Sequence, residues 1–310
     1  MSETGRFAPS PTGELHLGNL RTALLAWLFA RSEGGRFLVR LEDLDASRVR
    51  PGVAESQLED LRLLGLDWDG GVVRQTERTD LYETALQRLW TAGLIYPCYC
   101  TRAEVRAEVA ASASAPHGPS GGFVYPGTCR NLTRTRRAER EAAGRRPALR
   151  LNVHDAPEET VVAFRDELLG EVKGSVDDFV VRRGDGSHSY QLAVVVDDAE
   201  QGVTQVVRGA DLASSTPRQI LLSKLLGLPV PRYAHVPLVL GPDGRRLAKR
   251  DGPVSLGDHL QFGRTPEDIL RWMARSLGLP ADGGELPESL LKNFAPARLP
   301  TEPTTCKAPA

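Results

Sequence analysis

The start of the chain switches between the two hydrophobic periods that distinguish strands from helices. Residues 4–9 predict a short strand, and the segment after Gly18 predicts a buried helix, because its apolar side chains recur at helical spacing: Leu20, Leu24, Trp27 and Leu28. The next segment predicts a strand that ends in an acidic cluster, with alternating apolar residues Phe37, Val39 and Leu41 followed by Glu42, Asp43 and Asp45. Together these segments predict one βαβ unit.

Two helical patterns follow and are expected to cover the sheet. Their apolar positions are Leu58, Leu61 and Leu64 in the first, and Leu81, Ala85, Leu86 and Leu89 in the second. From Pro97 to about Asp178 the sequence changes to a cysteine pair, an Ala/Ser/Gly/Pro stretch, an arginine-rich segment and short strand-like pieces. This change predicts an inserted domain.

After the insertion, alternating strand and helix signals resume. The continuous apolar run 192–196 predicts a parallel strand covered on both faces, and residues 203–207 predict a neighbouring strand. Two segments predict helix starts, because each combines an N-cap threonine, a proline and a capping residue: Thr216-Pro217-x-Gln219 and Thr265-Pro266-x-Asp268. Beyond Pro280 the composition predicts a loosely ordered tail.

Composition places the chain among globular proteins. It has 310 residues, 41% hydrophobic, and a net charge of −1, so a nucleic-acid partner would have to meet a local basic surface. No apolar run reaches the roughly 18 residues of a membrane span, and no secretory pattern opens the chain, so we expect a soluble, cytoplasmic protein without membrane contact. Four cysteines, two of them in Cys98-x-Cys100, favour metal binding over disulfides.

Candidate chemistry starts in GRFAPSPTGELHLGNL, where His16 and Asn19 lie at the mouth of the first predicted helix. A helix N-terminus offers unsatisfied N–H groups and the positive end of its dipole, which suits nucleotide phosphates. His16 and Asn19 would add side-chain donors. An isolated His-x-x-Asn is more often only a polar helix cap, so the surrounding residues have to decide between the two interpretations.

A second phosphate-binding candidate is the loop GPDGRRLAKRDG, in which Lys249 could swing over a ligand. Such loops are also common surface hairpins. Five of the 39 basic residues are lysines, so a lysine at this position gives modest support for a specific role.

These two motifs, HLGN at 16–19 and RLAKR at 246–250, resemble the signatures of class I aminoacyl-tRNA synthetases. The likeness to the glutamate-specific branch covers roughly residues 4–275 and includes RFAPSPTGELHLGNLRTAL, FLVRLEDLD, QTERTDLY, VVVDD and VVRGADL. Residues 250–310 are too few for the large anticodon-binding region of full-length glutamyl-tRNA synthetases. The chain therefore resembles the shorter glutamyl-queuosine tRNA(Asp) synthetases, which carry a cysteine-bearing insertion.

The resemblance implies an α/β fold, a Rossmann-like nucleotide-binding domain with an inserted zinc-containing acceptor-type α+β domain. The expected boundaries are 1–96 and 179–252 for the two halves of the catalytic domain, 97–178 for the inserted zinc-binding and tRNA-contacting domain, and 253–310 for a short helical stem-contact segment and a loose tail. We expect a monomer.

The resemblance also implies a ligase that converts L-glutamate and ATP into glutamyl-adenylate without tRNA, and then modifies queuosine in the anticodon of tRNA(Asp). Mg²⁺ would accompany ATP, and no covalent enzyme intermediate is needed. His16, Asn19 and Lys249 would be the catalytic donors that stabilise charge at the α-phosphorus, and with Gly18 they would bind ATP.

For glutamate, Arg6 and Arg208 match the family's contacting arginines, and a guanidinium can hold a carboxylate with two parallel hydrogen bonds. Glu42 would face the ammonium group. Further residues implied to complete the pocket are Tyr190, Phe7, Ala8, Pro9 and Ser10. Taken singly, each of these residues could equally be structural.

Four residues match the zinc positions of the family's insertion and imply one structural Zn²⁺: Cys98, Cys100, Tyr125 and Cys129. The residues alone leave the metal open, because Cys-x-Cys is shorter than the usual zinc-knuckle spacing and tyrosine is a rare ligand. His117 is a rival fourth ligand. Cys306, in the tail, has no partner that the sequence reveals and is expected to be a free thiol.

Eight arginines between Arg130 and Arg150 could contact tRNA phosphates, although such runs are as often solvated helix faces. Four histidines have no identifiable partner and receive no catalytic role: His154, His188, His235 and His259.

The chain departs from the class I signatures at three positions. Asn19 replaces the second histidine, Arg246 replaces the first lysine of the loop, and Ala248 replaces its serine. Because charge is kept at position 246 while a hydroxyl is lost at position 248, we expect ATP activation to survive, with an open question about how tightly the loop closes.

Two alternatives remain open. A truncated glutamyl-tRNA synthetase would charge the tRNA 3′ end, and the site of glutamate attachment distinguishes it. A non-catalytic nucleotide- or tRNA-binding relative would fit the altered lysine loop, and glutamate-dependent ATP–pyrophosphate exchange distinguishes that one.

Overall fold

A computed structural model describes residues 3–111, 124–245, 247, 254–281 and 287–306. The strands in these ranges are β1 (Thr4–Phe7), β2 (Arg36–Leu41), β3 (Val73–Arg74), β4 (Ile95–Cys98), β5 (Ala148–Leu151), β6 (Val161–Asp166), β7 (Gly170–Ser175), β8 (Val180–Arg182), β9 (Gln205–Gly209), β10 (Arg232–Val236), β11 (Val239–Leu240) and β12 (Thr304–Thr305). The helices are α1 (Leu17–Ser32), α2 (Val53–Leu63), α3 (Thr79–Thr91), α4 (Arg102–Ala111), α5 (Arg134–Ala142), α6 (Tyr190–Glu200), α7 (Thr216–Leu226), α8 (Leu256–Gln261), α9 (Pro266–Ser276) and α10 (Glu288–Leu291).

The central sheet has the strand order β3-β2-β1-β9-β10-β6-β7. All neighbouring strands in it are parallel except β6 and β7, which form an antiparallel hairpin. Strands β1 and β2 are joined by α1 and pair in parallel, which confirms the predicted βαβ unit. A mostly parallel sheet with helical crossovers also confirms the predicted α/β class.

Helices cover both faces of this sheet. Along β2, Phe37 and Val39 belong to one core, together with α1, α2 and α9, while the intervening Leu38 belongs to a second core with α3, α6 and α7. Alternate strand residues face opposite sides, so the two cores lie on opposite faces. None of the helices in the described ranges combines the length and the apolar character required to cross a membrane.

The predicted strand at 192–196 is wrong, because this apolar run lies inside helix α6. Ser189 caps the helix by accepting a hydrogen bond from the backbone N–H of Leu192. The run is buried on all sides, and a short, fully buried apolar segment does not reveal its period. Its three consecutive valines favour a strand by propensity, but burial against α3 and α7 decides the outcome.

The two predicted helix starts have different outcomes. The capping box at Thr265 and Asp268 is present and opens α9. At Thr216 the helix is confirmed but the capping box is wrong, because Ser215 occupies the N-cap position without a side-chain hydrogen bond. The Thr216 hydroxyl instead contacts Arg208, and Gln219 donates to Gln191, so tertiary contacts replace the local cap.

The segment predicted as an insertion contributes to two sheets. Strands β4, β5 and β8 form a separate antiparallel sheet, whereas β6 and β7 extend the central sheet through pairing of β6 with β10. Tyr233 of β10 lies opposite Asp166 of β6. The four-part domain division stays a prediction.

The loosely ordered tail predicted beyond Pro280 is wrong for residues 287–306. Strand β12 pairs in parallel with β11, and Phe294 packs edge-on against Phe29 of α1 with ring centroids 5.3 Å apart. The buried Arg21 of α1 donates to the Thr304 hydroxyl at 2.8 Å. Cys306 forms no disulfide, which confirms the expected free thiol, and its backbone N–H donates to the Leu240 carbonyl at 2.8 Å.

Candidate active site

A cavity of about 530 Å³ opens at the carboxyl ends of the parallel strands, where α/β proteins bind their ligands. Every described residue predicted to bind glutamate or ATP lines it: Arg6, Phe7, Ala8, Pro9, Ser10, His16, Gly18, Asn19, Glu42, Tyr190 and Arg208. These residues lie in or directly beside β1, α1, β2, α6 and β9, so the fold brings distant parts of the chain to one place. Lys249, Arg246 and Ala248 lie outside the described residues.

His16 and Asn19 cap helix α1 reciprocally. His16 Nδ1 accepts from the Asn19 backbone N–H, and Asn19 Oδ1 accepts from the His16 backbone N–H, both at 3.2 Å. In a neutral imidazole the proton is therefore on Nε2, and the Asn19 amide keeps Nδ2 as its donor. A Cβ on Gly18 would lie 3.0 Å from the His16 ring, so glycine permits this arrangement. His16 and Asn19 can therefore cap the helix and still offer Nε2–H and Nδ2–H to a phosphate.

Arg6 is fixed by a buried carboxylate. Its Nε and Nη2 donate to the two oxygens of Asp198 at 3.1 and 3.5 Å. Burial alone would raise the pKa of Asp198, but attraction to Arg6 and Arg40 outweighs it and lowers that pKa. Because the Nε–Nη2 edge of Arg6 already binds Asp198, only N–H groups on Nη1 and Nη2 can reach a ligand.

Arg40 connects this pair to Glu42. It is fully buried, donates to Asp198 at 2.8 Å and lies 3.4 Å from Glu42 Oε1. Burial raises the pKa of Glu42, although Arg40 and Arg6 act against that rise. Removing one member of such a network leaves an uncompensated buried charge, which costs about 3–5 kcal/mol.

Arg208 has a different environment. Its Nε donates to His235 at 3.1 Å, Nη1 to the Tyr190 hydroxyl at 3.3 Å, and Nη2 to the Thr216 hydroxyl at 2.7 Å. Within the described ranges these partners are neutral, and no carboxylate forms an ion pair with Arg208. Burial raises the pKa of Tyr190, so its phenol stays protonated. Among the described residues, therefore, the positive charge that Arg208 brings to the cavity is not paired with a carboxylate.

The predicted zinc ligands also come together, away from the cavity. The sulfur atoms of Cys98, Cys100 and Cys129 all lie within 4.8 Å of one another. The Tyr125 hydroxyl lies 3.3 Å from the Cys98 sulfur and 3.6 Å from the Cys100 sulfur. His117, the rival ligand, lies outside the described residues.

Comparison with known proteins identifies the family. Residues 4–289 match the model for the catalytic domain of class I tRNA synthetases (E and Q). A glutamyl-Q tRNA(Asp) synthetase of Nocardia farcinica is 60% identical over 299 residues, covering 96% of this chain and 91% of that protein. The protein of the same name from Symbiobacterium thermophilum is 52% identical, with 98% and 96% covered. The chain belongs to the class I tRNA synthetases.

Solved structures agree with this class I assignment. A glutamate tRNA ligase from Elizabethkingia meningosepticum, crystallised with its amino acid, superposes with a TM-score of 0.82 at 28% identity and covers 98% of this chain and 67% of that chain. The predicted likeness to glutamyl-queuosine synthetases is confirmed, and the chain is a ligase-type enzyme.

Sequence reasoning missed the residues that support the candidate site. Asp198 lies in the quoted motif VVVDD but received no role, and Arg40 lies in FLVRLEDLD without one. The doubled acidic residues inside an apolar segment were a usable signal, because buried carboxylates need cationic partners. The sequence reveals no partner for His235. No local signal connects it to Arg208, since the contact joins neighbouring strands.

Proposed function

We propose that this chain activates L-glutamate with ATP, without tRNA, and then transfers the glutamyl group to the queuosine base in the anticodon of tRNA(Asp). The main support is the convergence of all described glutamate and ATP candidates on one cavity. The names of the 60% and 52% identical relatives support the choice of tRNA(Asp) as acceptor.

The charges around the cavity suit glutamate. Arg6 and Arg40 are balanced by Asp198 and Glu42, whereas Arg208 has only neutral partners among the described residues. The side-chain carboxylate of glutamate would supply the charge that Arg208 lacks, aided by the Tyr190 hydroxyl. Glu42 would receive the ammonium group. Glutamine would leave the Arg208 charge unsatisfied, and this favours selection of glutamate.

The N-terminus of α1 would hold the ATP phosphates. In the reaction, an oxygen of the glutamate α-carboxylate bonds to the α-phosphorus, the bond to the bridging oxygen breaks, and pyrophosphate leaves. His16 Nε2–H and the Asn19 amide would donate to the oxygens on which charge builds. Lys249 is proposed as a further donor. Mg²⁺ would accompany ATP and offset phosphate charge.

We also propose a structural Zn²⁺ at Cys98, Cys100, Tyr125 and Cys129. Ligands placed tetrahedrally at about 2.3 Å from zinc are about 3.8 Å apart, close to the spacing of these groups. Cys129 also accepts from the Tyr99 backbone N–H at 3.4 Å, a contact that helps to orient its sulfur. Bound zinc would crosslink the β4 end to the 125–129 turn.

The arginine-rich segment is the proposed tRNA contact. Helix α5 has no buried residue; its Arg134 is exposed, Arg140 is partly exposed, and Arg137 is partly exposed and donates to the Leu132 carbonyl. Several other arginines of the segment have structural partners: Arg130 with Asp178, Arg136 with Glu139, and Arg145 with Glu104. The contact surface is therefore narrower than the full segment. Cytoplasmic location and a monomeric state stay predictions.

Exchange of labelled pyrophosphate into ATP tests the activation step. With nuclease-treated protein we expect exchange that depends on glutamate, with kcat/KM for glutamine at least about 100-fold lower because the Arg208 charge stays unpaired. A protein that catalyses no exchange would support the alternative that the chain is a non-catalytic nucleotide- or tRNA-binding relative. Exchange that starts only after tRNA is added would support an ordinary glutamyl-tRNA synthetase.

A further inference from the structure

Arg208 is oriented by a buried chain of hydrogen bonds that ends at Asp166. His235 of β10 is 0% exposed, and its Nε2 lies 3.1 Å from both Arg208 Nε and Thr216 Oγ1. On the other side of the ring, Nδ1 lies 2.6 Å from Asp166 Oδ2. Asp166 is the last residue of β6, in the segment predicted as an insertion, so that segment supplies a residue that reaches Arg208 through His235.

The partners of the imidazole define where its proton lies. Asp166 accepts from the backbone N–H groups of His235, Leu168 and Leu169. Burial would raise the pKa of Asp166, but the hydrogen bonds from His235, Leu169 and Leu168 outweigh it and lower that pKa. A charged Asp166 requires the proton on Nδ1 of His235. Nε2 is then the acceptor that Arg208 Nε–H needs.

We propose that His235 and Asp166 are a positioning pair that holds Arg208 in the orientation needed to bind the side-chain carboxylate of glutamate, and that the pair works only while the imidazole is neutral. This inference rests on the proposed function and deepens it. His235 touches no substrate in this scheme and acts through Arg208.

The surroundings of His235 favour the neutral form. The charged or titratable groups that face it are Asp166 from β6, Arg208 from β9, Arg6 from β1 and Tyr233 from its own strand, whose ring stacks at 6.0 Å. Burial lowers the pKa of His235 most, Arg208 and Arg6 lower it further, and Asp166 acts against them. Thr216 from α7 adds a neutral hydroxyl.

Protonation of His235 would reverse its effect on Arg208. A proton on Nε2 removes the acceptor and places a second cation 3.1 Å from Arg208 Nε. Since the pKa of His235 is lowered, the neutral form predominates near neutral pH and is lost only as the pH falls below the ordinary imidazole range. The affinity for glutamate should therefore fall toward acid pH. The affinity for ATP, which would bind at the N-terminus of α1, should not show the same pH dependence.

Two substitutions at position 235 test the pair. His235→Leu removes the acceptor, and we expect the KM for glutamate to rise about 10- to 100-fold with the KM for ATP within about twofold. His235→Gln keeps a neutral acceptor near the Nε2 position and cannot titrate there. It should recover most of the glutamate affinity, and its KM for glutamate should rise less than that of the parent as the pH falls below the ordinary imidazole range.

Calorimetric titration with glutamate and thermal melting complete the experiment. Equal losses for glutamate and ATP in both variants, with lowered melting temperatures, would show a purely structural role and overturn the inference. An acid-side rise in the glutamate KM that is as steep in His235→Gln as in the parent would also overturn it, as would a His235→Leu variant that binds glutamate like the parent. Parent protein that binds glutamate but catalyses no exchange would overturn the proposed function and leave the binding test of the pair intact.

Discussion

Replacing Arg208 with glutamine is expected to raise the KM for glutamate about 100-fold or more, with the KM for ATP within about twofold. The arginine has only neutral partners in the described structure, so its charge is available to the ligand. Loss of one partner in a buried, hydrogen-bonded charge pair costs roughly 2–5 kcal/mol, and every 1.4 kcal/mol is about tenfold in affinity. Pyrophosphate exchange at varied glutamate and ATP concentrations measures both constants.

The same variant should lose most of its preference for glutamate over glutamine, because the uncharged amide can no longer be rejected by an unpaired guanidinium. Arg62→Gln is a matched control, since Arg62 is a half-exposed surface arginine on α2 that pairs with Glu59. The Arg62→Gln protein should keep the parent's KM values for glutamate and ATP. An Arg208→Gln protein with an unchanged KM for glutamate, or with equal losses for both substrates, would contradict the assignment.

Loss of the proposed zinc is expected to have the largest effect on stability. Structural zinc contributes its binding free energy to folding, which is about 10–16 kcal/mol in zinc-finger peptides, and the small cluster around Cys98 has few apolar residues of its own. We expect about one zinc per chain. Cys129→Ser should remove the metal and lower the free energy of unfolding by about 3 kcal/mol or more.

Metal analysis and denaturant unfolding check this prediction, with Cys306→Ser as the control, because Cys306 is also buried but lies outside the cluster. The control should keep its zinc. The glutamate KM of Cys129→Ser should stay within about threefold at a temperature where the protein is folded, since the cluster does not line the cavity. Parent protein that is purified without metal and melts at the same temperature as Cys129→Ser would refute a structural zinc.

Much of the scaffold could be predicted because local patterns agree with it. The helical spacing of apolar residues in α1 and α3 and the capping box of α9 involve residues that are close in sequence, and such local signals are the ones that a sequence shows directly. Helix α6 failed because its apolar run is buried on every side and has no polar face to reveal the period. The docked tail failed because its contacts, such as Arg21 with Thr304, join distant residues.

The site followed a different pattern. Arg6, Glu42 and Arg208 are candidates only through motif resemblance, since no spacing rule connects residues so far apart along the chain, and the structure brings them to one cavity. The positions that hold them were missed: Asp198 acts on Arg6, and His235 acts on Arg208. Such support residues make no motif of their own, because tertiary packing brings them to their partners: helix α6 against β1 for Asp198, and β10 beside β9 for His235.

The most direct test of the central claim is the attachment site of glutamate on tRNA(Asp). Labelled glutamate, ATP and the protein are incubated with queuosine-containing tRNA(Asp), with the same tRNA lacking queuosine as control, and the products are digested with nuclease and separated. We predict label on the queuosine nucleoside and none in the control reaction. Label on the 3′-terminal adenosine would contradict the account.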